Sequence, residues 1–440
     1  MEMFQKQYPS AYDVIVAGGG PAGIAAAVSA ARAGAKTALI ERYGILGGML
    51  TSGHVQPILG YAQGRTMYDE IVELLTEGHE DMPKMVTRNG KEIGFDLEEA
   101  KYRLLKLCVD SGVYVYLQTV VADVIKEENR ITGLKICTPM GLQTLHASVV
   151  VDATGDGFVA ALAGVPFEMG RASDGKCQPV TLEFTVDHVD ESIGITAWGG
   201  SDPVTLPDGT KYSEACKAAN ALGELPENVT IVRLHRTANP GERNVNATQV
   251  NGRNSLTVEG IVESELLLRQ QVQPIMEFLR KTAPGFANAK VKSSASTLGV
   301  RETRRFVGEY VLSDSDVEVG ARFADVVVHK AWFLIDIHNP AGGGQAEKRS
   351  QPAIPYDIPY RSLVPLEIDG LLLSGRNISG THRAHASYRV MGVAMATGQA
   401  AGTAAALSAK EGCVPRKLDY RKVQQALGEY GAQLFLEEEK

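Results

Sequence analysis

The chain has 440 residues, a formal net charge of -8, and 44% apolar and 22% charged residues; it is too long for one ordinary domain and has the composition of a globular protein. It has no basic stripe and no Lys/Arg run interleaved with aromatics, which argues against nucleic acid as a partner. Its five cysteines, Cys108, Cys137, Cys177, Cys216 and Cys413, are scattered without a CxxC; this argues against a cysteine zinc site or iron–sulfur cluster and for reduced thiols in a cytoplasm.

The N-terminus, MEMFQKQYPS, lacks a basic segment followed by an apolar one, so no signal peptide is expected. Tyr12 to Ala17 (YDVIVA) predicts a short buried strand. Gly18-Gly19-Gly20-Pro21-Ala22-Gly23 follows and satisfies GxGxxG. Ile24 to Ala33 is Ala-rich and helix-forming, Gly34 stops it, and Lys36 to Ile40 predicts a second strand that ends in Glu41. Each position has a physical task in a dinucleotide site. Gly18 permits the tight turn, Gly20 lets the backbone approach a diphosphate, and Gly23 lets the helix pack on the sheet. The helix N-terminus faces the anion. The Glu41 carboxylate accepts the adenosine ribose hydroxyls, which favours FAD or NAD over a 2′-phosphorylated cofactor.

The insertion Gly60–Ile93 reads as helical over Met67–Glu77 and is a candidate lid. Val113–Thr138 alternates apolar and polar residues and predicts a β-meander. Ser148 to Ala153 (SVVVDA) predicts another strand, running into Thr154-Gly155-Asp156-Gly157. A Gly-Asp pair at a strand end can aim a carboxylate at a polyol or phosphate. An extended FAD needs this second element and a nicotinamide dehydrogenase does not. The middle of the chain, Gly164 to Tyr356, mixes strands (VTLEFTV, NVTIVRL) with an amphipathic helix, Val258 to Lys281, for which Thr257 is the expected N-cap. Ala341-Gly342-Gly343-Gly344 lacks the flanking strand and helix of a nucleotide site and reads as a mobile loop.

Near the C-terminus Gly370 to Ser374 (GLLLS) predicts a strand, followed by Gly375-Arg376, a short polar stretch, and a small-residue helix from Val390. The N-terminus of that helix, at Val390 and Met391, is expected to face the flavin N1/O2 edge, where its dipole stabilises anionic reduced flavin. Val390 to Ala409 is uncharged and long enough to span a bilayer. Its small residues predict a buried helix instead.

Four segments carry a family resemblance: VAGGGPAGIAAA with GGMLTSG; VVDATGDGFVAALAGVPFEMGR; STLGVRETRRFVGEY; and IPYRSLVP with LLLSGRNISGTHRAHASYRVMGVAMATGQAAGTAAAL. Together they span nearly the whole chain. It resembles the bacterial FAD-dependent oxidoreductases of the "FAD-oxidored" family and is distantly similar to fumarate-reductase-type flavoproteins. The resemblance implies an α/β fold with a Rossmann-like FAD-binding domain of the glutathione-reductase type, a β-meander and a mixed α+β substrate domain. The FAD domain is expected to be discontinuous, over 1–59, 94–163 and 357–440, with 60–93 as the lid insertion and 164–356 as the substrate domain. Gly18, Gly20, Pro21, Ala22, Gly23 and Glu41 would then hold the ADP part. Arg42, Gly47, Gly48 and Met49 would line the diphosphate and flavin side, and Val121 would meet adenine. Ala153, Gly155, Asp156, Gly375 and Arg376 would sit by the ribityl–phosphate region, and Val390 and Met391 by the isoalloxazine.

For chemistry, Thr381, His382, Arg383, His385, Tyr388 and Arg389 form the richest polar cluster. His382 and His385 are acid/base candidates, because histidine titrates near neutrality. Tyr388 is a candidate proton donor, and Arg389 a partner for an anionic substrate. The plain alternative is a loop anchor. No carboxylate lies near the two histidines in sequence, so no metal is expected there. In Asp336-Ile337-His338, strand alternation would put Asp336 and His338 on one face. The resemblance brings that segment to the active site, making His338 a candidate base or substrate ligand, with a satisfied surface pair as the plain alternative. Arg301-Glu302-Thr303-Arg304-Arg305 reads as a structural salt-bridge network, with carboxylate binding as the alternative. Covalent FAD attachment through His54 has no sequence signal. The expected function is a cytoplasmic FAD-dependent dehydrogenase or reductase that exchanges hydride with a small polar, anionic metabolite. A separate electron donor or acceptor, no membrane span and a homo-oligomer go with it. An oxidase or monooxygenase using oxygen directly, and a flavin-binding electron-transfer or regulatory subunit, are the alternatives.

Overall fold

The computed structural model describes residues 7–79, 94–199, 203–343 and 353–434. Most of the distal part of the expected lid (80–93) and the end of the Gly-rich loop at Gly344 lie outside the described residues.

The main sheet has seven strands in the order Tyr114–Tyr116, Thr37–Ile40, Ala11–Ala17, Gly141–Asp152, Arg130–Thr138, Val120–Glu127, and Leu371–Leu373 also pairs with Gly141–Asp152. The long strand Gly141–Asp152 works in two halves. Its first half pairs antiparallel with Arg130–Thr138 and is largely exposed. Its second half, VVVD, lies parallel between Ala11–Ala17 and Leu371–Leu373 and is wholly buried. The sequence follows this change, from alternating residues with one face in solvent to a continuous apolar run with both faces covered. The meander therefore consists of Val120–Glu127, Arg130–Thr138 and the first half of Gly141–Asp152. Tyr114–Tyr116, which the sequence pattern assigns to the meander, instead extends the parallel part beside Thr37–Ile40. Parallel strands joined through the helix Pro21–Arg32 form a Rossmann-like arrangement.

That helix begins with Pro21 at its first turn and ends before Gly34, whose φ of +92° no other residue adopts cheaply. It packs against the small-residue helix Met391–Glu411 through glycine. A Cβ on Gly398 would lie 2.1 Å from the Ala22 carbonyl, and one on Gly402 2.0 Å from that of Ala26. The four-residue spacing on both helices brings the backbones together as interlocking ridges. Nearly every residue of Met391–Glu411 is buried by protein. No single helix among the described residues is long and apolar enough to cross a membrane; the pair His382–Tyr388 and Met391–Glu411 passes that test only jointly, across a 93° bend.

A second, four-stranded antiparallel sheet has the order Lys290–Ser294, Phe184–Asp187, Arg243–Asn246, Arg233–Arg236. The helices Tyr212–Ala221 and Val258–Thr282 close a separate hydrophobic core over it. Thr257 caps the longer helix by accepting from the Gly260 amide at 3.1 Å. The strands here are shorter than the sequence suggests. In VTLEFTV the Thr248 hydroxyl takes the Leu182 amide at 2.7 Å, so a side chain replaces the ladder and the strand starts at Phe184. The helix Met67–Thr76 buries Met67, Tyr68, Ile71, Val72 and Leu75 in the main core and is anchored by Gln399, whose Oε1 accepts from the Met67 amide at 3.0 Å.

Candidate functional site

The first strand delivers the chain into the glycine loop. Gly18 has a φ of +96°, and its amide donates to the Ile40 carbonyl at 2.8 Å. A Cβ on Gly23 would sit 1.7 Å from the Gly18 carbonyl, so only glycine lets the helix seat on the turn. The helix has no side-chain cap, which leaves its first-turn amides for an external acceptor. A second glycine loop closes on the first. The Gly47 amide donates to the Gly19 carbonyl at 2.8 Å, and Gly47 and Gly48 both have positive φ. A Cβ on Gly20 would project into the space between the loops, with Gly48 Cα at 4.0 Å its nearest neighbour. Met49 begins on the short turn after Gly48.

Glu41 is buried, and its two oxygens accept from the Gly19 amide at 2.6 Å and the Tyr43 amide at 2.8 Å. Burial raises its pKa, with the two amides and Arg42 opposing. The carboxylate thus clamps the glycine loop to the turn that follows its strand. Arg42 is exposed and stacks on Tyr43 at 4.8 Å. Thr119 donates its amide to the Glu41 carbonyl at 3.0 Å, which brings buried Val121 beside this end of the sheet.

The next strand end continues the same surface. The Ala153 amide donates to the Ala17 carbonyl at 2.8 Å, and the Ala153 carbonyl lies where a Cβ on Gly18 would have to go. Asp156 receives Arg376 Nη2 at 2.7 Å and the Thr303 hydroxyl at 2.8 Å. Burial would raise its pKa, but Arg376, Thr303 and Arg42 outweigh burial and hold it low. The Arg376 guanidinium lies against Gly155, 2.8 Å from where a Cβ would be. The Gly375 amide is held by the Thr397 hydroxyl at 3.1 Å. Sequence reasoning missed Asp152. It is fully buried and accepts from Ala160 N, Thr154 N and Thr154 Oγ1, fixing the turn that presents Asp156.

The cluster Thr381 to Arg389 is helical over His382–Tyr388, not a polar loop, and the helix sends its members in different directions. Thr381 is the N-cap. His382 Nδ1 meets the Glu302 carboxylate at 2.8 Å, and Glu302 also pairs with Arg305. Arg383 faces outward to Glu318 at 3.0 Å. His385 is buried, neither ring nitrogen has a partner among the described residues, and burial lowers its pKa well below normal. Tyr388 is wholly buried and donates to the Ile378 carbonyl at 3.0 Å; burial raises its pKa. Its ring also packs against Gly380, leaving no room there for a Cβ.

Arg389 is the member that reaches Asp336 and His338. It closes that helix and places Nη2 3.2 Å from Asp336 Oδ2, which His338 Nε2 approaches at 3.4 Å. Asp336 and His338 therefore share a side as expected, although the segment is irregular and not a regular strand. Gln178 Oε1 fixes the His338 amide at 3.1 Å, and Arg301 donates to the Pro179 carbonyl next in chain at 2.9 Å. Arg389, Asp336 and His338 form a largely buried charged cluster that keeps 12%, 18% and 9% of its side-chain surface accessible. Burial lowers the His338 pKa to about 3, with Arg301 adding to the effect. Asp336 is held below the usual carboxylate range by His338, Arg389 and Arg233 despite burial. Arg233 and Glu183, both missed from sequence, join this buried cluster, Arg233 facing Asp336 and Glu183, and Glu183 facing Arg301. Their signal was a charge inside each apolar run, NVTIVRL and VTLEFTV. Burial pushes Glu183 up to about 8, with Arg301 opposing. His54, at a φ of +55°, is buried behind the second glycine loop, and burial lowers its pKa to about 4.

The sequence matches the family described as FAD dependent oxidoreductase over residues 13–427. The chain belongs to this family. Among similar proteins, the digeranylgeranylglycerophospholipid reductase of Picrophilus torridus is 32% identical over 155 residues, 33% of this chain and 39% of that protein. The thiamine thiazole synthase of Aeropyrum pernix is 30% identical over 198 residues, 41% of this chain and 68% of that protein. The matches to the first two reductases span 39% and 52% of their lengths. A solved geranylgeranyl bacteriochlorophyll reductase-like protein from Thermoplasma acidophilum aligns over 96% of this chain and 83% of its own, with 17% identity and a TM-score of 0.45.

This FAD-dependent oxidoreductase is accordingly a flavoprotein, and its loops suit the cofactor. The space that a Cβ on Gly20 would fill, the uncapped helix and the carboxylate at Glu41 fit the diphosphate and adenosine of FAD. Among the described residues no group of three or more His, Cys, Asp or Glu side chains forms a metal site.

Proposed function

We propose that the chain exchanges hydride between FAD and a small polar anion held at the cluster of Arg389, Asp336 and His338. The observation that carries this reading is the Arg389–Asp336–His338 contact, with distances of 3.2 and 3.4 Å, at the end of the helix that precedes Met391. In this reading the FAD domain is of the glutathione-reductase type and assembled from 1–59, 94–163 and 357–440, with 164–356 covering the substrate. Gly18, Gly20, Glu41, Gly47 and Gly48 hold the ADP side, Asp156 and Arg376 the ribityl side, and Val390 and Met391 the ring. Bound flavin supplies the hydride acceptor or donor.

The chain's own residues do the rest. Arg389 orients an anionic group and is itself held by Asp336. The Asp336 carboxylate accepts from His338 Nε2–H, which sets the tautomer and leaves Nδ1 to take a proton from the substrate. A substrate anion beside His338 offsets the positive field of Arg301 and raises its low pKa toward the working range. His382 is positioned by Glu302 and acts through that contact.

The test is anaerobic mixing of the FAD-loaded protein with a panel of small carboxylates and hydroxy acids, following the flavin absorbance. Substrate should bleach the flavin, and His338→Gln should slow that step by about 10²-fold or more with flavin retained. An unchanged rate in both His338→Gln and Arg389→Gln would remove the assignment.

A further inference from the structure

The helix Val258–Thr282 reverses its polarity part-way along. In its second half the large apolar residues face inward, with Ile275, Met276, Phe278 and Leu279 buried in the second core. In its first half the inward positions are Gly260, Ser264 and Leu268, while Val258, Val262 and Leu266 stay 74%, 53% and 61% exposed. Those three recur every four residues and form one stripe along the outer face. A surface helix normally turns such a stripe toward its own core, and contiguous exposed apolar residues mark an interaction surface.

The charges beside the stripe indicate what covers it. Glu263 pairs with Arg253 at 2.6 Å and Glu265 with Arg269 at 2.9 Å, whereas Glu259 is exposed and has no ion pair among the described residues. Arg269 gives Nε to Glu265, Nη1 to the Ser294 hydroxyl at 3.0 Å and Nη2 to the Ala295 carbonyl at 3.3 Å. A guanidinium carries five N–H groups, and the Arg269 side chain is still 49% exposed, so it can serve a second carboxylate.

Glu259 and Arg269 stand equally far on either side of Ser264, and so do Val262 and Leu266. At about 100° per residue, the point opposite buried Ser264 lies midway across the stripe. A two-fold axis there, perpendicular to the helix, lays a second copy antiparallel on the first. Val262 then meets the partner's Leu266 at the centre, and Glu259 meets the partner's Arg269 at the rim, each contact made twice by symmetry. The face is therefore complementary to itself in both shape and charge. The acidic residues Glu259, Glu263 and Glu265 along it suit an anionic lipid surface poorly.

We propose that the outer face of this helix, from Val258 to Arg269, is a homodimer interface in which two copies pack antiparallel about a two-fold axis opposite Ser264. The proposal stands apart from the functional reading above.

The test is sedimentation equilibrium of the FAD-loaded protein, which should show a dimer at micromolar concentration. Val262→Glu and Leu266→Glu each set like charges close to the axis and should weaken association by about 100-fold or more, with FAD content unchanged because both positions are exposed. Leu222→Glu, at a 77% exposed position on another helix end, should leave the dimer intact. Glu259→Arg opposes two guanidiniums and should weaken it about tenfold. The register is read by oxidising an equimolar mixture of Val262→Cys and Leu266→Cys chains, both carrying Cys137→Ser to remove an exposed thiol; the mixture should cross-link more than either variant alone. A monomer at all concentrations, a dimer indifferent to both glutamate substitutions, or equal cross-linking in the mixture and the separate variants would overturn the proposal. So would a monomer that floats with lipid vesicles through Val262 and Leu266, which would give the face to a membrane.

Discussion

Alanine at Gly398 sets two effects of opposite sign against each other. Glycine inside a helix costs about 1 kcal/mol relative to alanine, so propensity alone predicts a gain. The added Cβ, however, would stand 2.1 Å from the Ala22 carbonyl, and relief to ordinary contact requires a movement of about 1 Å. The obstacle is backbone, which cannot rotate aside as a side chain can. Overpacking of this kind costs about 1–3 kcal/mol, and the backbone contact puts Gly398→Ala at the upper end, for a net loss of about 1–2 kcal/mol. Gly428 is the control. It lies in the exposed helix Tyr420–Tyr430, with nothing within 4 Å of its Cβ position, so its alanine variant should gain stability. Ala22 belongs to the first turn of the helix behind the glycine loop, so Gly398→Ala should also weaken FAD retention. Gly402→Ala presses on Ala26, one turn further along, and should destabilise with less effect on FAD. Urea midpoints and the fluorescence of released FAD measure the two quantities separately. Equal shifts of one sign in Gly398→Ala and Gly428→Ala would refute the close helix contact.

Glu302 has 0% side-chain exposure and carries both Arg305 and His382. Glu302→Gln strands the buried Arg305 charge and should cost about 3–5 kcal/mol in urea unfolding; a loss under about 1 kcal/mol would mean that the pair is solvated. Glu183 predicts a pH dependence. Its carboxyl is pushed up to about 8 by burial, against an ordinary 4.5, with Arg301, Asn244 and Arg233 facing it. The folded chain therefore keeps a proton that the unfolded chain releases, so stability should decline as pH rises from about 4.5 to about 8 and then level off. Glu183→Gln should flatten that profile, as read by urea midpoints across the range; an unaltered profile would place the titration elsewhere.

The cofactor end of the molecule was legible because its constraints are local. Gly18, Gly23 and Gly34 each answer to a backbone conformation or a contact within one strand–loop–helix unit, and Glu41 closes the next strand. The helix from Thr257 announced its own cap. The meander boundary was misplaced at Tyr114–Tyr116 because an alternating YVY reads the same in a parallel edge strand as in a hairpin. The segment Thr381 to Arg389 defeated composition for a different reason. Its polar residues suggest a loop, yet Thr381 caps a short helix, and helical rotation separates His382, Arg383 and Tyr388 onto different faces. Whether Asp156 is free or held by Arg376 depends on a contact between distant parts of the chain, which no local pattern encodes.

The buried charge cluster is the instructive case, because the sequence did carry its signal. Arg233 and Glu183 interrupt apolar strand runs at positions whose neighbours are buried. In a strand, a side chain flanked by core residues must turn to the opposite face, and on a sheet covered on both sides that face is also interior. A charge there is either paired or meets a ligand, because an unpaired interior charge is too costly to keep without compensation. Periodicity treats Arg233 and Glu183 as noise in a strand. The energetic argument treats the same two residues as the mark of a buried charge cluster, and the structure supplies it: Arg233 and Arg301 both face Asp336 and Glu183. The same reasoning separates Arg305 from Arg301. Both are buried arginines in one short motif, but Arg305 is ion-paired with Glu302, whereas Arg301 donates to the Pro179 carbonyl and meets Asp336 and Glu183 only at longer range among the described residues.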